Sequence, residues 1–179
     1  MRAMARLVRI ASDMIIIPGF VISLITFPGV IVHELAHVLC CKLTRTEVHK
    51  VCLFRLGNPA GYVIHAIPKN VWQHILIGIG PLFVNTLITF IIGLAMWKFH
   101  LGHGFFEWLA VSIAANAFPS KGDAESIWKA VWAKGSPYSA RILGTPLVML
   151  IAAGTAGSVF LLNFLYAYMC AFWLPRTLA

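Results

Sequence analysis

MIIIPGFVISLITFPGVIVHELAHVLCC, residues 14–41, is the stretch whose reading decides the fold. It is almost wholly apolar and longer than the roughly 20 residues a helix needs to cross a bilayer. Its second half nevertheless carries His33-Glu34-Leu35-Ala36-His37. Residues four apart share one face of a helix, so both imidazoles can reach one cation with the glutamate beside them. A charged side chain in a membrane segment costs roughly 2.5 kcal/mol or more unless it is paired or used, so it marks a functional site by default. The bland alternative is that these residues lie at the membrane edge and only cap or snorkel. Pro18-Gly19 and Pro28-Gly29 interrupt the run, which is therefore expected to be bent or partly unwound. Such breaks are tolerated where protein covers the freed backbone or a cavity meets it.

Composition agrees with this reading. Of 179 residues, 60% are hydrophobic and 11% charged, against about 25% charged in an ordinary soluble domain. The length fits one domain over residues 1–179. The net charge of +8 is spread in short clusters beside apolar runs, the pattern of anchors to anionic headgroups. It is not gathered on one soluble element, so nucleic acid is excluded as a partner. Cys40, Cys41, Cys52 and Cys170 show no CxxC spacing and read as free thiols. The N-terminal run has no small-residue cleavage site before HELAH and is expected to stay in the mature chain.

The fold class that follows is an α-helical, multi-pass integral membrane protein with about four crossings and a small β-hairpin after the HExxH helix. The hairpin is expected within residues 42–70, which are β-branched and punctuated by Gly57-Asn58-Pro59 and Gly61. Further crossings are expected at about 71–99, with Gly80-Pro81 inside, and at about 105–118. An amphipathic piece at 123–134 follows. A last helix over 142–174, tilted or kinked, packs through Gly154, Ala156, Gly157 and Ser158. The loops 42–70 and 121–141 hold nine of the 14 basic residues and are expected to face the cytoplasm, which puts the active site near that side. The basic N-terminus would then lie outside, unless the first run is a re-entrant hairpin.

A hydrolytic zinc takes three protein ligands and keeps one position open. His33 and His37 supply two, and Glu34 is placed as the general base. Among six acidic residues, Asp123 is the best candidate for the third ligand and Glu125 the second. Asp123 also reads as an ordinary helix cap before Ala-Glu-Ser. His65 and His74 are weaker candidates.

Three motifs in order resemble the site-2 protease family of intramembrane zinc metalloproteases: HELAH at 33–37, GPLFVN at 80–85 and NAFPSKGD at 116–123. The resemblance covers about residues 25–130, and the β-like LFRLGNPAGYV falls where that family places a small sheet. It implies zinc on His33, His37 and Asp123, Glu34 as base, Asn116 near the scissile peptide, and Asn85 packing helices or shaping the substrate site. It implies a transmembrane protein as substrate, cut in or near the bilayer. Gly122 precedes Asp123 where the family usually has Leu-Asp-Gly, and Asp123 follows Asn116 by seven residues rather than eight, so the loop must close differently.

The expected function is therefore an intramembrane zinc endopeptidase. The alternatives are a zinc-binding membrane protein of the same fold without proteolysis, against which the intact Glu34 argues, and a small transporter, against which the lack of repeated halves argues.

Overall fold

The structure, a computed structural model, describes residues 19–101, 104–155 and 159–178, and the side chains of these except 19, 20 and 152–162. The expectations for the basic start, Asp13 and Pro18 lie outside the described residues. In chain order the elements are α1 (Gly19–Ile25), α2 (Phe27–Leu43), β1 (Val48–Cys52), β2 (Tyr62–His65), α3 (Val71–Phe99), α4 (Phe105–Ala115), α5 (Lys121–Val131), α6 (Tyr138–Thr155), α7 (Val159–Tyr168), a π-helical turn (Met169–Trp173) and α8 (Leu174–Leu178).

The break expected near Pro28-Gly29 falls one step earlier, at Thr26, between α1 and α2. Pro28 sits in the first turn of α2, where its missing N–H is one of the helix's orphans anyway. Trp108 pins this corner by donating from Nε1 to the Ile25 carbonyl at 2.9 Å while its ring packs on Phe27. Gly80-Pro81 does not interrupt α3, which runs 29 residues through it. Asn70 caps that helix by accepting from the Gln73 N–H at 3.0 Å.

The expected sheet is present. β1 and β2 pair antiparallel, Val51 opposite Val63 and Cys52 opposite Tyr62, with an irregularity between Val48 and Lys50. Cys40, Cys41 and Ile77 are buried together with Val48 packed on them, which seats the hairpin against α2 and α3. A second buried cluster, Val71, Ala124, Ile127, Val131, Ala140, Val148 and Ile151, joins the start of α3 to α5 and α6. Cys40, Cys41, Cys52 and Cys170 are all free thiols.

The crossings come out differently from the sequence expectation. Among the described residues, α3 is the one helix long and apolar enough to cross a membrane, with a mean hydropathy of 2.3 in its most apolar window. The run expected at 105–118 is helical only over the 11 residues of α4, about 16 Å at 1.5 Å per residue. The chain leaves the helix at Asn116 because Pro119 opposes α geometry in the residue before it. Within the run 142–174, α6 reaches Thr155 and α7 starts at Val159; the packing expected at Ala156, Gly157 and Ser158 lies outside the described residues.

Close approach of α2 to α4 fixes the depth of the site. A Cβ at Gly29 would stand 1.9 Å from the Ser112 carbonyl oxygen, and the Gly29 N–H donates to Ser112 Oγ at 3.0 Å. Asn85 on α3 is fully buried and donates from Nδ2 to the carbonyls of Ile113 at 3.0 Å, Asn116 at 3.1 Å and, more weakly, Gly29 at 3.4 Å. One amide thus ties α3 to both neighbours. Gly29→Ala is expected to lower stability by about 2 kcal/mol or more, since the methyl meets backbone that cannot rotate away. Gly122→Ala, whose nearest contact would be Ser120 Oγ at 3.5 Å, should be nearly neutral. Thermal midpoints of the two purified variants check this.

Candidate metal centre

His33 and His37 stand one turn apart on α2 with Nε2 atoms 3.2 Å from each other. Each ring donates its other nitrogen to a backbone carbonyl: His33 Nδ1 to Asn116 at 2.7 Å and His37 Nδ1 to Ile77 at 2.9 Å. A carbonyl only accepts, so both Nδ1 atoms carry their protons and the two Nε2 lone pairs converge. Two acceptors this close need a proton or a metal ion between them. Asp123 Oδ1 lies 3.5 Å from His37 Nε2, and one ligand atom from each of the three residues falls within 4.8 Å of the others.

The 3.2 Å and 3.5 Å separations from His37 Nε2 fit zinc. With Zn–N and Zn–O bonds of about 2.0–2.1 Å, a tetrahedral ion separates its ligand atoms by about 3.3–3.4 Å. The donor set of two neutral imidazoles and one carboxylate is that of catalytic zinc, with a place left for water.

Asp123 does two jobs. Ser120 is the N-cap of α5 and Asp123 is the third residue of that helix. Asp123 Oδ2 accepts from the Ser120 N–H at 2.7 Å and from its hydroxyl at 2.6 Å, while Ser120 Oγ accepts from the Asp123 N–H at 3.2 Å. This capping box spends one carboxylate oxygen and turns the other to the imidazoles. Burial works against the charge on Asp123, and the hydrogen bonds from Ser120 favour it. The cap and the ligand, alternatives in the sequence, are the same side chain.

Glu34 is buried at 8% exposure and lines, with all three ligands, a cavity of about 780 Å³. The loop between β1 and β2 lies directly on it: a Cβ at Gly61 would stand 2.7 Å from Glu34 Cγ, so glycine alone permits the contact. Glu125 is exposed and takes no part in the triad. His65 and His74 line the cavity without joining the triad, their Nδ1 atoms turned to the Ala66 carbonyl at 2.8 Å and Ser126 Oγ at 3.0 Å. Asn116 lines the cavity, but its Nδ2 donates to the Ser112 carbonyl at 2.9 Å and its own carbonyl holds His33. Asn85, expected to pack helices or shape the substrate site, is wholly buried. Its place is the helix-packing one, because its donors are taken by backbone.

A family model described as "Putative zincin peptidase" matches residues 26–136. The chain belongs to that family. No curated protein and no solved structure matches it. The matched span holds α2, the hairpin, α3, α4 and α5, and so every residue of the triad. Membership makes zinc the metal of this zincin, and His33, His37 and Asp123 its candidate site.

Two contributors escaped the sequence reading. Ser120 was legible in principle, as a serine three residues before an acidic one at the start of an amphipathic helix. Asn163 on α7 lines the cavity with its Oδ1 buried and unpartnered. A single amide in VFLLNFLYAY was the available signal.

Asp123→Ala should abolish stoichiometric zinc, and Glu125→Ala should leave it intact. Ser120→Ala, which frees the carboxylate to swing, should weaken zinc by about 10-fold. Metal analysis and chelator competition on the purified variants measure all three.

Proposed function

We propose that this zincin is an intramembrane endopeptidase of the site-2 protease kind, hydrolysing peptide bonds in or near transmembrane segments of membrane proteins. One observation carries the reading: the helix that bears HExxH and the helix beside it turn apolar side chains outward. On α2, Leu35, Leu39 and Leu43 are exposed at one-turn spacing, and on α3 so are Phe83, Leu87 and Ile91. Only 39% of the most apolar window of α3 is buried, whereas a core helix of a soluble protein would be mostly covered. Exposed apolar surface of this extent belongs against lipid or a partner. Trp72 and Trp97 are half-exposed about 38 Å apart along α3 at 1.5 Å per residue, the spacing of the two aromatic belts of a bilayer.

The proposed topology is multi-pass, with the hairpin and α5 on the cytoplasmic side among the basic residues. α4 reaches about half-way across before its end turns at Asn116 beside His33. That sets the zinc below the headgroups while the cavity opens toward the hairpin.

Bound zinc supplies an acidified water and a Lewis acid for the scissile carbonyl. The rest falls to side chains. His33, His37 and Asp123 hold the ion. Glu34, adjacent in sequence to the first ligand, accepts a proton from the attacking water and returns it to the departing amine. A substrate helix must first unwind, because its carbonyls are otherwise spent on its own N–H groups. The unwound segment gains backbone partners by adding as a strand to the two-stranded sheet.

Glu34→Gln should retain full zinc and lose cleavage of a model transmembrane substrate in proteoliposomes by about 10²-fold or more. Cleavage at the wild-type rate by Glu34→Gln would overturn the assignment of Glu34 as the base, whereas no cleavage by the zinc-loaded wild type would leave the non-proteolytic zinc protein as the reading.

A further inference from the structure

The carbonyl that holds His37 belongs to Ile77, and Ile77 lies four residues before Pro81. In an uninterrupted α-helix that carbonyl would accept the N–H of residue 81. Proline has no N–H, so the bond is missing. α3 remains helical through Pro81, which leaves the Ile77 carbonyl without its donor from residue 81 at the point where His37 Nδ1 arrives at 2.9 Å. Both groups are buried, where an unpartnered carbonyl and an unpartnered N–H would each cost about 1–3 kcal/mol. The two vacancies answer each other.

From this we infer that Pro81 is a positioning residue of the zinc site. By deleting one backbone donor it reserves the Ile77 carbonyl for His37, which fixes the tautomer and orientation of that ring and keeps Nε2 aimed at the metal. His33 obtains its carbonyl in another way, from Asn116 at the end of α4, where the last carbonyls have no helical partner. The inference deepens the zinc-site reading and rests on it. It assigns a chemical role to a proline that, by packing alone, would be only a kink.

The test is zinc affinity of the full-length protein, measured with zinc alone against a chelator. Pro81→Ala restores an N–H that competes with His37 for the Ile77 carbonyl, and should weaken zinc about 10-fold, within the range seen when a ligand's orienting partner is lost. Incorporating lactic acid at position 81 replaces the amide by an ester. This variant has alanine's methyl but no N–H, and should bind zinc within about two-fold of wild type, a rescue that a shape or packing role would not give. Pro146→Ala, at the interior proline of α6, should leave affinity unchanged. Equal zinc affinity in Pro81→Ala and wild type would overturn the inference, as would an ester variant no better than Pro81→Ala. Wild-type protein that binds no zinc through His33 and His37 would instead sink the metal site itself.

Discussion

Two imidazole nitrogens pointed at one another from 3.2 Å are the constraint on which the rest of the molecule depends. Each ring keeps its Nδ1 hydrogen and donates it to a backbone carbonyl, so the two rings face each other through their Nε2 lone pairs. A positive ion between them turns mutual repulsion into two bonds. Two independent helices deliver those carbonyls, so the packing of α2 against α3 and α4 is also the assembly of the metal centre. Gly29 and Asn85 serve chemistry only by setting how near those helices lie.

The third ligand shows the same economy. Asp123 is held by the first turn of α5 through one oxygen and offers the other to the metal. This explains how the chain closes with Asp123 seven positions after Asn116. The aspartate need not reach in on an extended loop, because a helix starting at Lys121 presents it from its third position, with Ser120 fastened beneath. A carboxylate so fastened gives up little rotamer freedom on binding metal.

What could be read from sequence follows from which groups carry the information. His33, Glu34, His37 and Asp123 were legible because side-chain chemistry and spacing are written in the residue letters. The hairpin was legible from its β-branched runs and Gly-Pro punctuation. The carbonyls of Ile77 and Asn116 were not, since every residue has a carbonyl and only the fold decides which are spare. Pro81 was expected inside a single helix over about 71–99, and α3 does run whole through it. The 105–118 run looked like a crossing by hydropathy alone, while Pro119 and the capping signal at Ser120 shorten it to α4.

α2 carries an exposed leucine stripe on its outer face and the two histidines of the triad on its inner face. The most direct test of the whole account is X-ray absorption at the zinc edge of the purified protein. The account predicts a first shell of two imidazole nitrogens and oxygens at about 2.0–2.1 Å with no sulfur. A sulfur scatterer at about 2.3 Å, or a shell with fewer than two imidazoles, would contradict it.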